Sequence, residues 1–213
     1  MKHPSRTSCK LFVEGGAPRN AALQTECRRA FARLLERAGF GGRLPRVVAC
    51  GSRRAAYEQF CTAVVHLGTG EVAVLLVDSE SAVTGSVAWD HVVERDSWSK
   101  PEQVGEDHLH LMVQCMETWL LADRVALSSY FGIGFRESSL PASGAQLERI
   151  SVQDVHACLK DATRATKTKG RYDKGRHSFK LLALLDPASI RGASPWAERL
   201  FSTLDELLGP AGP

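Results

Sequence analysis

The sequence lacks a C-x-x-C pair: its six cysteines, Cys9, Cys27, Cys50, Cys61, Cys115 and Cys158, are scattered along 213 residues. Disulfides are therefore not expected, and no standard structural-zinc pattern is present. Cys115 with His108 and His110 would be a zinc set only at a spacing that matches none of those patterns. There is no apolar run approaching the length of a membrane span, and residues 1–10 lack the apolar block of a signal peptide. A cytoplasmic protein with no membrane partner is the expectation. Excess charge is missing too. Lys and Arg number 27 against 24 Asp and Glu, a net of +3, so only local clustering of charge would point to nucleic acid. No internal repeat or low-complexity tract is found, which excludes repeat architectures. What remains is a chain with 44% hydrophobic residues, enough to bury a full core, expected as a single domain over 1–213 with a basic helical part from about 150.

The first eighty residues alternate. Residues 10–14 read as a strand, followed by a short loop with Pro18 and a helix over 22–38. That helix puts Leu23, Cys27, Ala30, Phe31, Leu34, Leu35 and Ala38 on one face and Arg28, Arg29, Arg33 and Arg37 on the other. Gly39, Gly41 and Gly42 end it, and 45–51 reads as a short buried strand. Ser52 caps a helix over 53–65, and 72–77 is a valine- and leucine-rich strand apolar on both faces. Strand, helix, strand, helix, strand is the pattern of an α/β fold with a mostly parallel sheet and helices on both faces.

Beyond residue 80 the pattern weakens. Residues 81–107 read as a long loop with at most one short helix, 108–116 as a fourth strand, 118–130 as a helix and 132–148 as irregular. A helix is expected over 152–166, a short apolar helix or strand over 179–185, and a last helix from Ser194-Pro195 to Gly209, ahead of a disordered tail over 210–213.

Three carboxylates stand where strands run out: Glu14 after the first, and Asp78 and Glu80 after the third. The carboxyl ends of parallel strands open onto a shared crevice, so three acids there are candidates for holding a hard divalent cation, magnesium or manganese. If strand geometry persists, Asp78 and Glu80 point to the same face. Alternatively they are loop and cap residues. Glu117 is either a further ligand or the acidic first-turn residue of its helix. A two-carboxylate magnesium site leaves room for phosphate oxygens, and the segment 160–180 offers the positive charge such a substrate needs. Lys167, Lys169, Lys174, Arg176, His177 and Lys180 are the candidate nucleic-acid-binding residues, with Gly170 and Gly175 opening the backbone to a phosphate. A solvated basic face is the alternative. His108 and His110 read as ordinary edge-strand residues, and a nucleophilic Cys115 and His110 pair is disfavoured because residues five apart on a strand face opposite ways.

The segments Phe12-Val13-Glu14-Gly15-Gly16, Val48-Ala49-Cys50-Gly51-Ser52-Arg53, Leu76-Val77-Asp78-Ser79-Glu80, 110–119 and 174–180 resemble the bacterial domain-of-unknown-function family numbered 4276 over nearly the whole chain. Its first half is similar to the Toprim domain of primases, topoisomerases and overcoming-lysogenization-defect nucleases. That resemblance implies a Toprim-like, Rossmann-like fold. It also implies Glu14 with Gly15 as general acid or base and Asp78 as the leading aspartate of the metal-binding pair. Glu80 replaces the trailing aspartate, which keeps the charge and lengthens the arm by one methylene. Family members are similar to proteins encoded beside ATPases in phage-defence systems, which implies an ATPase partner. The leading expectation is a magnesium-dependent nuclease or related phosphoryl-transfer enzyme with Glu14, Asp78 and Glu80 catalytic. The alternatives are a non-catalytic partner of an ATPase that docks through Trp89, Trp98 and the 81–107 loop, and an anion or nucleotide sensor built on the basic segment.

Overall fold

The structure, a computed structural model, describes residues 7–17 and 19–210. Pro18 and the last three tail residues, read above as loop and disordered tail, and most of the N-terminal stretch 1–10 lie outside them. Strands β1 (Ser8–Val13), β2 (Arg46–Ala49), β3 (Glu71–Asp78) and β4 (Leu109–Met112) form one sheet in the order β2-β1-β3-β4, with every pairing parallel. The fold is α/β, as the alternation predicts.

Side-chain alternation along the strands assigns the two faces. Leu11 and Val13 of β1 and Val74 and Leu76 of β3 enter one buried cluster, whereas Phe12, Ala73, Leu75 and Val77 enter the other. Helix α1 (Ala21–Leu35) covers the first face with Cys27, Ala30, Phe31, Leu34 and Leu35 buried, and helix α2 (Arg53–Val65) covers the second through Ala56, Phe60 and Val64. The chain leaves β1 toward β2 through α1, then crosses back over β1 to β3 through α2. Two crossovers in opposite directions place their helices on opposite faces, and the order reverses between β1 and β3. Their carboxyl ends carry Glu14 and Asp78.

Several expectations need correction. The 81–107 stretch holds the one short α-helix its reading allowed for, α3 (Ala88–Asp96), with Ala88, Trp89 and Val92 buried at helical spacing; the role given to its tryptophans is what changes. Trp89 donates its indole N–H to the Gly105 carbonyl at 3.2 Å, and Trp98 stacks on Tyr57 with ring centroids 4.4 Å apart. At 2% and 9% exposure these tryptophans are core, not the contact surface of a docking loop. The fourth strand ends four residues early, at Met112, and the helix expected over 118–130 is two: α4 (Glu117–Leu120) and α5 (Arg124–Phe131). Asp123 breaks it by accepting the Ala126 amide at 2.9 Å and so capping α5.

Helix α6 (Val152–Ala162) is four residues shorter than expected. The basic segment runs into helix α7 (Lys174–Leu182), which Asp173 caps by accepting the Arg176 amide at 3.0 Å. Helices α8 (Pro187–Ala193) and α9 (Pro195–Leu208) finish the chain, with Ser194 capping α9 and Gly209 ending it at φ 65°. Strand β4 is an edge of the sheet, as expected, with His110 on it and His108 just before it, and helix α9 packs against this strand, where His110 is fully buried. All six cysteines are free, and no helix among the described residues is long and apolar enough to cross a membrane.

Candidate metal centre

Glu14 follows β1 and hydrogen-bonds across to the neighbouring strand end, its Oε2 accepting the Asp78 amide at 3.1 Å. Asp78 closes β3 and accepts the Met116 amide on Oδ1 at 2.7 Å. Each acid thus spends one oxygen on the backbone and is fixed in direction by it. Strand geometry does not persist to Glu80, whose φ of 63° is left-handed, yet its carboxylate still reaches the group from the exposed side. One oxygen each from Glu14, Asp78 and Glu80 lie within 4.8 Å of one another. All three expected acids therefore come together.

Glycines close the loops around them. Gly15 exchanges two backbone hydrogen bonds with Gly51, at 3.0 and 2.9 Å, tying the ends of β1 and β2 together. Gly16 sits at φ 72°, and a Cβ there would lie 2.7 Å from the Gln24 Cα, so only glycine lets α1 approach this closely. A cavity of about 300 Å³ opens beneath, lined among others by Glu14, Asp78, Glu117, Lys174 and Ser178.

The electrostatics differ sharply between neighbours. Burial pushes the Asp78 carboxyl well above the usual carboxylate range, and repulsion from Glu14 and Glu117 adds to it, while Lys174 and the Met116 amide offset only part. Burial also raises Glu14, against the Asp78 amide and the charge of Arg53. Glu117 is completely buried, which by itself would raise it, yet His156, Lys174 and Ser178 outweigh burial and hold it down to about 2. The Ser178 hydroxyl donates to Glu117 Oε1 at 2.9 Å, and Lys174 Nζ pairs with Oε2 at 3.3 Å. Burial works against the Lys174 ammonium, but Glu117 and Asp78 prevail and keep it charged.

Glu117 is grouped not with the three carboxylates but with Cys115 and His156. His108 and His110 stand apart from Cys115: one accepts the Gly105 amide on Nδ1 at 3.1 Å, and the other lies 3.1 Å from the Asp107 carbonyl. Among the basic residues, Lys174 reaches into the site, and Lys167, Lys169, Arg176 and Lys180 are exposed on α7 and the turn before it. Lys169 lies over the Tyr130 ring at 4.9 Å. His177 is 2% exposed, and its Nδ1 accepts the Asp173 amide at 2.9 Å, so it caps a helix instead of facing a ligand. Gly175 lies within the first turn of α7 rather than in an open loop.

Sequence reasoning missed His156, Ser178 and Tyr172. Ser178 and Tyr172 lie within the basic segment, where only its charges drew notice, and nothing in the α6 sequence ties His156 to Glu117.

A sequence-family model described as "Domain of unknown function (DUF4276)" matches residues 13–205, a span that contains every acid and base of this site. No curated protein and no solved structure matches the chain.

Proposed function

Because the chain belongs to the DUF4276 family, whose description names no activity, function has to be read from the site, and we propose a Toprim-like, magnesium- or manganese-dependent nuclease or related phosphoryl-transfer enzyme. The observation that carries this reading is the trio of Glu14, Asp78 and Glu80, with oxygens within 4.8 Å of one another at the ends of neighbouring parallel strands. The donors are all hard oxygen atoms, and burial first, then repulsion from Glu14 and Glu117, disfavours the Asp78 carboxylate unless a cation joins it. Such a set fits a hard divalent cation. When bound, the ion supplies Lewis-acid polarisation of a phosphodiester and an acidified water.

The chain's own residues have distinct tasks. Asp78 and Glu80 bind the ion, and Glu14, its carboxyl raised by burial, completes the site or accepts a proton. Lys174 stands over the cavity to meet a phosphate oxygen. Lys167, Lys169, Arg176 and Lys180 follow the nucleic-acid backbone as it leaves the site. His177 has no part in that contact. An ATPase partner and a phage-defence setting belong to the same proposal.

Calorimetric titration of magnesium and manganese into wild-type protein and the Asp78→Ala, Glu80→Ala double variant tests the site. Binding is expected in the first and absent in the second. Incubation with plasmid DNA, single-stranded DNA and RNA in manganese tests the activity, and Asp78→Ala is expected to abolish cleavage while circular dichroism stays unchanged. Cleavage that survives this change would end the nuclease reading.

A further inference from the structure

We propose that Cys115, Glu117 and His156 form a second metal site, for a zinc-class ion, that shares no ligand with the carboxylate trio. One donor atom from each of the three lies within 4.8 Å of the others. Two of those donors are orphans: Glu117 Oε2 and His156 Nε2 are both buried without a hydrogen-bond partner. Glu117 is 0% exposed, and its Oε2 has the Lys174 ammonium at 3.3 Å as countercharge but no hydrogen bond, so that buried oxygen is incompletely satisfied.

The two orphans face each other at 3.6 Å. That is too long for a hydrogen bond. It is close to the roughly 3.3 Å that separates two ligands held about 2.0–2.1 Å from a tetrahedral zinc ion. Sulfur, imidazole nitrogen and one carboxylate oxygen are donors for zinc or cobalt, whereas magnesium takes oxygen alone. The surroundings hold the ligands in place. Ser178 fixes Glu117 through Oε1 and is itself bonded to the Tyr172 hydroxyl at 2.7 Å, the kind of outer support that orients metal ligands.

The cavity reaches Glu117, one of the three ligands. Without the ion, Lys174 supplies the countercharge, and its Nζ, 3.3 Å from the same Oε2, gives way when a cation arrives. Cys115 binds as the thiolate, and its proton leaves to solvent.

Cobalt is the probe. Titrated into the full chain, it is expected to give thiolate-to-cobalt charge-transfer absorption in the near-ultraviolet at one equivalent, which zinc then bleaches. Cys115→Ser should remove this absorption, His156→Ala should weaken binding at least about tenfold, and Asp78→Ala should leave both unchanged. No absorption in folded wild-type protein overturns the proposal, as does absorption that survives Cys115→Ser or disappears in folded Asp78→Ala. Should Cys115→Ser fail to fold, unchanged affinity in His156→Ala overturns it. The magnesium reading stands or falls separately, because Asp78→Ala removes that site and spares this one.

Discussion

Asp78 and Glu117 are both buried carboxylates lining one cavity, and the protein treats them in opposite ways. Glu117 receives an ammonium at 3.3 Å, a hydroxyl at 2.9 Å and an imidazole at 3.6 Å, and its carboxyl is held down to about 2. Asp78 receives one amide and two neighbouring acids, and its carboxyl is pushed up. Burial is common to both, so the neighbours decide the sign. The fold balances the charge of Glu117 from within, although one of its oxygens lacks a hydrogen bond, and leaves Asp78 to a proton or to a cation from outside.

The largest effect is expected from removing the satisfied charge. Glu117→Gln keeps the shape and a group for Ser178 to donate to, but gives up the attraction of Lys174 and His156. A folded pKa of about 2 against an ordinary 4.5 corresponds to at most about 3 kcal/mol at neutral pH. Because the folded pKa is lowered, that stability is fully present above the unfolded value near 4.5 and is lost as pH falls to about 2. Urea unfolding of wild type and variant between pH 7 and pH 2 should show a gap that closes with acid. A gap that stays constant would mean that shape, not charge, sets the cost.

Asp78→Asn should act in the opposite direction. In chelator it relieves repulsion from Glu14 and Glu117 while the amide oxygen still accepts from Met116, so the variant is expected to gain about 1 kcal/mol. Here the folded pKa is raised, so the wild type's penalty is full at high pH and fades as pH falls through the folded pKa toward the unfolded value. The variant's advantage should therefore shrink on acidification, whereas in the Glu117 pair it is the wild type's advantage that shrinks. Magnesium should then invert the order. At about one hundred times its dissociation constant a ligand adds about 2.7 kcal/mol to the protein that binds it, and only wild type would gain. Thermal unfolding with and without magnesium checks both halves, and a wild type indifferent to magnesium would leave Asp78 unsatisfied for some other reason.

How much of this was legible depended on distance along the chain. The alternation through residue 78 is carried by local signals: the apolar face of α1, the Ser52 cap, and the uninterrupted run in β3. Those signals also placed Glu14 and Asp78 at strand ends that open onto one crevice, since parallel strands finish on the same side; that the two strands are neighbours is seen only in the structure. Helix α3 was allowed for within 81–107 but not placed, because only three of its nine residues are buried and the rest are polar or partly exposed. Helix α7 was masked by its charges, although His177, Ser178, Leu181 and Leu182 show helical spacing once the face they bury is known. The meeting of Cys115, Glu117 and His156 joins the end of the sheet to a helix some forty residues later, and no local pattern announces such a contact.

Glu80 is the weakest member of the trio and allows the finest test of the contrast. Its carboxylate lies 3.8 Å from Arg95, which also pairs with Asp96 at 2.5 Å, and Asp96 in turn holds Arg53 at 2.6 Å. Arg95 is thus shared between an acid it needs little and an acid the trio needs. With both side chains about one-third exposed or more, the Arg95 and Glu80 pair contributes little to stability, and Arg95→Ala should change it by less than about 0.5 kcal/mol. If Arg95 competes with the cation for Glu80, manganese binding should tighten by about twofold, a small gain in keeping with a screened contact. If Arg95 instead holds Glu80 in position, binding should weaken. Calorimetry on this one variant separates an acid whose charge the protein leaves unbalanced, as at Asp78, from one whose charge it balances with its own cations, as at Glu117.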